Sequence, residues 1–265
     1  IDGSLSLRYG GSIKENHFYR VYAKGFRIND NGDDIRGADA NDRWKQGRGG
    51  TRFDLHLNDD ELLTIQGDYF STSADADFLI PDLLPPPNLV RQGSRENHTG
   101  FNALTRWTKR YSDTADLQLQ AYVDTSHYES LVVDERRTTF DIEFQNRIEL
   151  NDRHEIIWGV GYRYSRDSYD STVVAILDPD DDSTNLFSLF LQDNIRVNDV
   201  LKLTIGTKLE HNDYIGIEFQ PTRRASWTPT DHQTVWAAVS RAVRTPNRAE
   251  NDIRLLQVSD VIRDT

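Results

Sequence analysis

Leu201-Lys202-Leu203-Thr204-Ile205-Gly206-Thr207-Lys208-Leu209-Glu210-His211-Asn212 decides how the whole chain is read. Leu203, Ile205, Thr207 and Leu209 fall on one side of an extended strand, and Lys202, Thr204, Lys208 and Glu210 on the other. A period of two sends alternate side chains to opposite faces of a sheet. One face therefore meets an apolar medium and the other meets water. The apolar medium is either a protein core or a lipid bilayer. Residues 185–197 read as the preceding strand, joined by the turn Val197-Asn198-Asp199-Val200. The polar excursion Asn212-Asp213-Tyr214-Ile215-Gly216 leads to strands over 218–227 and 232–241, with Thr228-Pro229-Thr230-Asp231 between them.

The same alternation runs back to the start, over residues 4–9, 16–26, 48–57, 62–71, 97–111, 115–125, 137–150 and 154–165. It is sharpest where Phe140, Ile142, Phe144, Ile148 and Leu150 oppose Asp141, Glu143, Gln145, Arg147 and Glu149. That makes twelve strands with no helical segment between them, and the pattern dissolves after Arg241. Most strands are ~10–14 residues long, where soluble sheets average ~5–6 and a tilted membrane-crossing strand needs ~9–11.

Short turns such as Asn58-Asp59-Asp60, Ser112-Asp113-Thr114 and Asn151-Asp152-Arg153 alternate with long loops over 27–46, 72–96 and 166–184. A further loop of about ten residues is expected after Thr125. Pro81, Pro85, Pro86 and Pro87 bar the second long loop from being a central strand. Alternate connections of an up-and-down sheet share an edge, so all tight turns are expected on one edge and all long loops on the other. The expectation is an all-β, antiparallel up-and-down transmembrane β-barrel. The alternative is a soluble β-sandwich or propeller, with shorter strands and more even turns.

Apolar residues are 37 % of the 265, below the usual ~45–50 %, yet a barrel needs one only at alternate positions. No run of ~18 apolar residues is present, which excludes a transmembrane helix. Thirty-one Lys and Arg against 43 Asp and Glu give a net charge of −12, so nucleic acid is not an expected partner. With no cysteine, disulfides and thiolate metal sites are excluded. Ile1-Asp2-Gly3 is neither a signal peptide nor a Met start, and 261–265 is unpatterned. Residues 1–265 are therefore expected to be one internal piece of a larger protein.

Several phrases resemble the barrel of TonB-dependent outer-membrane receptors. They are Tyr19-Arg20-Val21-Tyr22-Ala23-Lys24, Asp42-Arg43-Trp44 with Gly49-Gly50-Thr51-Arg52-Phe53-Asp54, Leu63-Thr64-Ile65-Gln66-Gly67-Asp68, Phe140-Asp141-Ile142-Glu143-Phe144-Gln145 and Ile157-Trp158-Gly159-Val160-Gly161-Tyr162-Arg163-Tyr164. The likeness is nearest from Gln192-Asp193-Asn194-Ile195 through Trp236-Ala237-Ala238-Val239-Ser240-Arg241-Ala242-Val243-Arg244-Thr245-Pro246. The resemblance implies a plugged barrel of about 22 strands, of which this chain holds just over half, without plug, TonB-contacting segment or last strands. It implies capture of a scarce nutrient, a ferric siderophore or a cobalamin-like ligand, at extracellular loops of a Gram-negative outer membrane. It also implies import driven by the TonB–ExbB–ExbD system, with outer-membrane lipid and lipopolysaccharide as surroundings. No cofactor is implied. The rivals are a passive porin and a soluble β-sheet binding or adhesion module.

No catalytic constellation stands out, and the seven His form no metal-binding pattern. Asp141, Glu143 and Glu149 read as solvated lumen charge. Asp178, Asp180 and Asp182 begin like a calcium loop, but Ser183 and Leu189 stand where Gly and Glu are needed. Gly47-Arg48-Gly49-Gly50 eases the chain into its strand, and Asn97-His98-Thr99 is a glycosylation sequon by spelling only. The candidate ligand contacts lie in or beside the long loops: Trp44, Phe78, Tyr128 and Tyr169 to stack on a ligand, Arg91 and Arg136 to meet its anionic groups. For Tyr128 and Tyr169 an aromatic girdle at the bilayer interface is the alternative. Arg223 and Arg224 have opposite parity, so one of them must face lipid. The expectation is that Arg223 sits near an interface or on a bulge.

Overall fold

The computed structural model describes residues 3–29, 40–82, 88–170, 172 and 175–255. Twelve strands lie side by side in chain order: β1 (Gly3–Lys14), β2 (His17–Ile28), β3 (Trp44–Asn58), β4 (Glu61–Asp82), β5 (Asn88–Ser112), β6 (Ala115–Glu129), β7 (Asp134–Asn151), β8 (His154–Asp170), β10 (Asp181–Arg196), β11 (Leu201–Asn212), β12 (Gly216–Thr230) and β13 (Gln233–Ser240). Every neighbouring pair is antiparallel. The short strand β9 (Ala175–Leu177) leaves this sheet and pairs with β14 (Ile253–Leu255), which follows the single helical turn α1 (Arg248–Asp252). β1 and β13 are the two edges, so the described sheet is open.

The sheet is one layer thick. Among the described residues the only buried hydrophobic side chains are Tyr169 and Leu177. Leu7, Phe187 and Ile217 are 64 %, 51 % and 76 % exposed. Cross-strand register places these apolar residues in shared rows: Leu189 stands opposite Leu209 and Val160, and Leu209 opposite Phe219. A groove of about 600 Å³ on this face is lined by Leu119, Ile142, Phe144, Val160, Phe187 and Leu189, among others. At roughly 25 cal/mol per Å², so much open apolar surface cannot be stable in water. A hydrocarbon medium has to cover it.

Asparagine side chains close the tight turns. Asn58 Oδ1 accepts from Asp60 N at 2.9 Å, Asn151 Oδ1 from Arg153 N at 2.9 Å, and Asn198 Oδ1 from Val200 N at 3.0 Å. Each is an Asx turn, the mechanism that makes Asn a turn former.

Five expectations are corrected. The stretch 72–96 is mostly strand: β4 and β5 pair continuously up to Asp82 opposite Asn88. Beyond Ala74 and Asn97 neither is flanked by β3 or β6, so this is a two-stranded ribbon in which Pro81 costs no central ladder bond. Pro85, Pro86 and Pro87 lie outside the described residues. The edges are also less strictly sorted than expected. Residues 213–215 make a tight turn on the long-loop edge, held by Asn212 Oδ1 accepting from Tyr214 N at 2.8 Å. The connection after β6 is only residues 130–133, because β6 and β7 extend toward each other.

Arg223 is on neither a bulge nor a strand end. It is central in β12, in unbroken register between Ile205 and Val239, on the row face of Leu203 and Leu209. It is exposed and has no ion-pair partner among the described residues. Asp193 lies toward the tight-turn end of β10, where His154 Nδ1 meets its Oδ2 at 2.8 Å. Finally, Asp141 is not solvated. It is 3 % exposed, because register puts Arg163 directly opposite it.

Candidate functional site

The polar face of the sheet carries the chemistry, and register decides which side chains share it. Tyr128 on β6, Glu135 on β7 and Tyr169 on β8 form one inward row near the long-loop edge. One turn of pairing deeper, Ser126, Arg137 and Asp167 form the next. Below these, Tyr122, Asp141 and Arg163 make a third.

The chain after β13 closes this patch from above. Its Arg248 is 4 % exposed. The guanidinium lies 3.1 Å from Asp167 Oδ1 and 3.7 Å from Asp182 Oδ2, and also binds Asp252 and the Pro179 carbonyl. It sits 5.9 Å from the Tyr169 ring centre, within cation–π range. A buried cation requires such saturation, since an unpaired one is strongly destabilising. Burial nevertheless keeps the Asp167 carboxyl above its usual range, against the opposing pull of Arg248.

Under this lid is a cavity of about 520 Å³. Tyr122, Arg137, Arg163, Asp167, Tyr214 and Arg248 contribute its main polar groups. Arg163 Nε meets Asp141 Oδ2 at 2.9 Å, and Arg137 donates to Tyr169 Oη at 3.1 Å. Tyr214 Oη donates to Asp182 at 3.1 Å, and Thr139 and Ser165 hydroxyls are 3.1 Å apart. Burial pushes the Tyr169 phenol up to about 12, reinforced by Glu135, and the Tyr214 phenol up to about 12, reinforced by Asp182. Both are neutral donors at ordinary pH. The cavity thus offers guanidinium and phenol donors, each guanidinium offset by a carboxylate, which suits a polar ligand rich in oxygen acceptors.

The six residues singled out from the sequence divide by face. Tyr169 is inward and 7 % exposed. Tyr128 is inward too; its hydroxyl donates to Glu96 at 2.7 Å and its ring meets His98 edge-on at 5.9 Å. Burial, then the Glu96 carboxylate, pushes Tyr128 up to about 12. Neither tyrosine is part of an outward girdle. Trp44 opens β3 on the inward parity and packs edge-on against Phe26 at 4.6 Å. Phe78 is inward on the projecting ribbon, opposite Gln92. Arg91 and Arg136 have the other parity. Arg91 is outward on the same ribbon, paired with Asp77. Arg136 is outward on β7, between Asp134 at 3.2 Å and Asp170 at 3.6 Å. The structure therefore groups the aromatic candidates on the inner face and leaves these two arginines off it.

Arg137, Arg163, Tyr122 and Arg248 were not singled out from the sequence. Parity alone would have favoured Arg137 over Arg136, since Asp141 and Glu143 already marked the odd positions of β7 as inward. Arg248 left no local signal. Asp182 is engaged by Tyr214 and Arg248, and among the described residues no group of three or more His, Asp or Glu converges as a metal site.

A family model described as TonB dependent receptor-like, beta-barrel matches residues 2–254. The ferric enterobactin receptor of Pseudomonas aeruginosa is 35 % identical over 65 residues, 24 % of this chain and 9 % of that protein. The siderophore receptor PirA of Acinetobacter baumannii superposes with a TM-score of 0.75 at 15 % identity, over 95 % of this chain and 42 % of that one. PirA of P. aeruginosa gives 0.72 at 15 % identity, over 93 % and 40 %. The chain thus spans under half the length of the solved structures it resembles.

Proposed function

This chain belongs to the TonB dependent receptor-like β-barrel family, and from that premise we propose that it supplies part of the barrel of a siderophore receptor in the outer membrane of a Gram-negative bacterium. The ligand is a ferric siderophore, as in the names of the relatives. It is captured at the long-loop mouth and imported with energy delivered through TonB, ExbB and ExbD. The step is transport, with no bond of the ligand made or broken. The two open edges of the sheet are completed by further strands of the same barrel.

One observation carries this reading: an uncovered apolar face backs a polar cavity roofed by the chain after β13. A soluble binding module would have buried that apolar face in a core. A cobalamin-like ligand is the alternative substrate. The test uses the full-length receptor. Intrinsic fluorescence is titrated with a ferric catecholate, a ferric hydroxamate and cyanocobalamin, and uptake is measured in hosts with and without TonB. The expected result is quenching by one ferric chelate and uptake that requires TonB. Quenching by cyanocobalamin alone, or TonB-independent uptake, overturns the assignment.

A further inference from the structure

The chain leaves the sheet earlier than its own pattern requires. β13 pairs with β12 only as far as Ser240, opposite Thr222. The alternation runs on past that point. Val239, Val243 and Thr245 keep the outward parity, with Arg241 the exception, and Ser240, Ala242 and Arg244 keep the inward one. Among the described residues, Gly216 to Gln220 of β12 have no strand partner on the β13 side. Counting onward in the observed register puts Val243 opposite Phe219, Arg244 opposite Glu218 and Thr245 opposite Ile217. Phe219 and Ile217 are 51 % and 76 % exposed on the apolar face, where Val243 would cover one of them. Arg244 and Glu218 would make an opposite-charge pair on the polar face, the kind that stabilises neighbouring strands. Pro246 falls opposite Gly216, where β12 begins, and proline ends a ladder.

Arg241 holds this vacant edge in place of a strand. Its backbone N donates to the Pro221 carbonyl at 3.0 Å, which is the first ladder bond of an extension. Hydrogen-bonded pairs alternate along an antiparallel ladder, so the next bond would run from Val243 N to the Phe219 carbonyl. The Arg241 guanidinium takes that carbonyl instead and reaches Glu218 at 2.7 Å. Arg244 pairs with Glu250. The inner position has its own lock. Asp167 and Asp182 stand directly opposite each other across β8 and β10, a repulsive arrangement unless a cation lies between them. Arg248 is that cation, and β14 pairs with β9 just beyond it. The same residues therefore have two discrete places to go.

We propose that residues 241–248 are a switch strand with two seats: the lumen seat seen here, locked by Arg248, and a wall seat on β12, taken when a ligand fills the inner cavity. Moving between them exchanges the Arg248 contacts for ladder bonds, the Arg244–Glu218 pair and the cover of Phe219. Thr245, Pro246 and Asn247 line the cavity of about 520 Å³, so a ligand that fills it competes with them for space. It therefore binds the wall-seated state better, and only such a difference lets a ligand shift an equilibrium. The ligand is taken from the siderophore-receptor reading above; the two seats follow from register and do not depend on it.

The test uses full-length receptor carrying Glu218→Cys/Arg244→Cys, a non-hydrogen-bonded pair in the extended register and close enough there for a disulfide. Arg224→Cys/Ala238→Cys, opposite each other in the register seen here, is the control for a folded wall. Rates of disulfide formation are measured alone, with a ferric catecholate and with a ferric hydroxamate, and again in the Arg248→Gln background. The test pair is expected to close at least about 10-fold faster with the chelate that quenches fluorescence. It is expected to close as fast without any chelate when Arg248→Gln is present, while the control pair is unchanged throughout. A test pair that stays open in Arg248→Gln while the control closes overturns the wall seat. Equal rates with and without Arg248→Gln overturn Arg248 as the lock. Acceleration by Arg248→Gln but not by a chelate that quenches overturns the ligand as trigger. Failure of either chelate to quench the wild type defeats the receptor reading instead, and the Arg248→Gln comparison still decides the switch.

Discussion

Arg163 Nε lies 2.9 Å from Oδ2 of Asp141, with Asp141 only 3 % exposed and the two residues directly opposite in register. The other oxygen, Asp141 Oδ1, has no hydrogen-bond partner. This pair anchors the floor of the inner cavity. Removing the arginine strands a buried carboxylate, whereas removing the aspartate leaves a guanidinium that is still 43 % exposed. Arg163→Ala is therefore expected to destabilise more than Asp141→Ala. Solvent screening at Arg163 holds the pair's coupling energy to about 1–2 kcal/mol. A double-mutant cycle on thermal unfolding measures it; equal losses in the two single variants contradict the asymmetry.

The two faces of the sheet are expected to respond oppositely to the same charge. Leu189→Arg places a guanidinium against lipid, at a cost of about 2–4 kcal/mol near mid-membrane. Gln118→Arg on the inward parity of β6 costs close to nothing. Folding yield into lipid vesicles separates them, and indistinguishable yields contradict the membrane face.

Arg223 provides the reverse experiment. It is central in β12 on the apolar parity, between Ile205 and Val239. Arg223→Leu is expected to stabilise the barrel by about 1–3 kcal/mol, raising the urea midpoint of vesicle-folded protein. A lower midpoint points instead to a polar partner for this side chain in the membrane.

Gly50 is required by close approach. A Cβ there would stand 2.8 Å from both the Gly67 carbonyl oxygen and the Tyr22 ring, and against the Asp68 carboxylate that Tyr22 binds. Gly47, three positions away, has open space at its Cβ. Gly50→Ala is expected to lower stability by about 1–3 kcal/mol and Gly47→Ala to leave it unchanged. Chemical denaturation of the two variants side by side is the check.

Alkaline pH tests the buried phenols. Tyr169 is raised from 10 to about 12 by burial, so the folded state keeps a proton that the unfolded chain loses near 10. Its contribution is fully present below pH 10 and is lost as pH rises toward 12, by up to about 3 kcal/mol. Phenolate absorbance should show late-titrating tyrosines in folded protein, and Tyr169→Phe should flatten the stability loss over that window. An equally steep loss in the variant rules out Tyr169 as its source.

Much of this was legible beforehand because strand periodicity is a local property. Twelve alternating segments became the twelve strands of the sheet, since each segment carries its own apolar and polar sides. Turn positions were legible through Asn58, Asn151 and Asn198, whose side chains act within three residues. The Thr72–Glu96 stretch misled because proline reports on ladder bonds without saying whether a ribbon has neighbours to bond. Arg223 misled because a single charge cannot reveal its depth in a strand. Of the site, Tyr128 and Tyr169 were visible as aromatics near loops, but the face they occupy follows from the parity of strands that begin many residues away.

The amino-acid order by itself determined that the chain is extended and two-faced, because alternation acts over two residues and needs no distant partner. Only the tertiary structure decided which groups meet. Register set Asp141 against Arg163 across β7 and β8, and the returning chain brought Arg248 onto Asp167, 81 positions earlier. Those contacts are non-local: their formation depends on how strands slide and pack, and no short stretch of sequence encodes that.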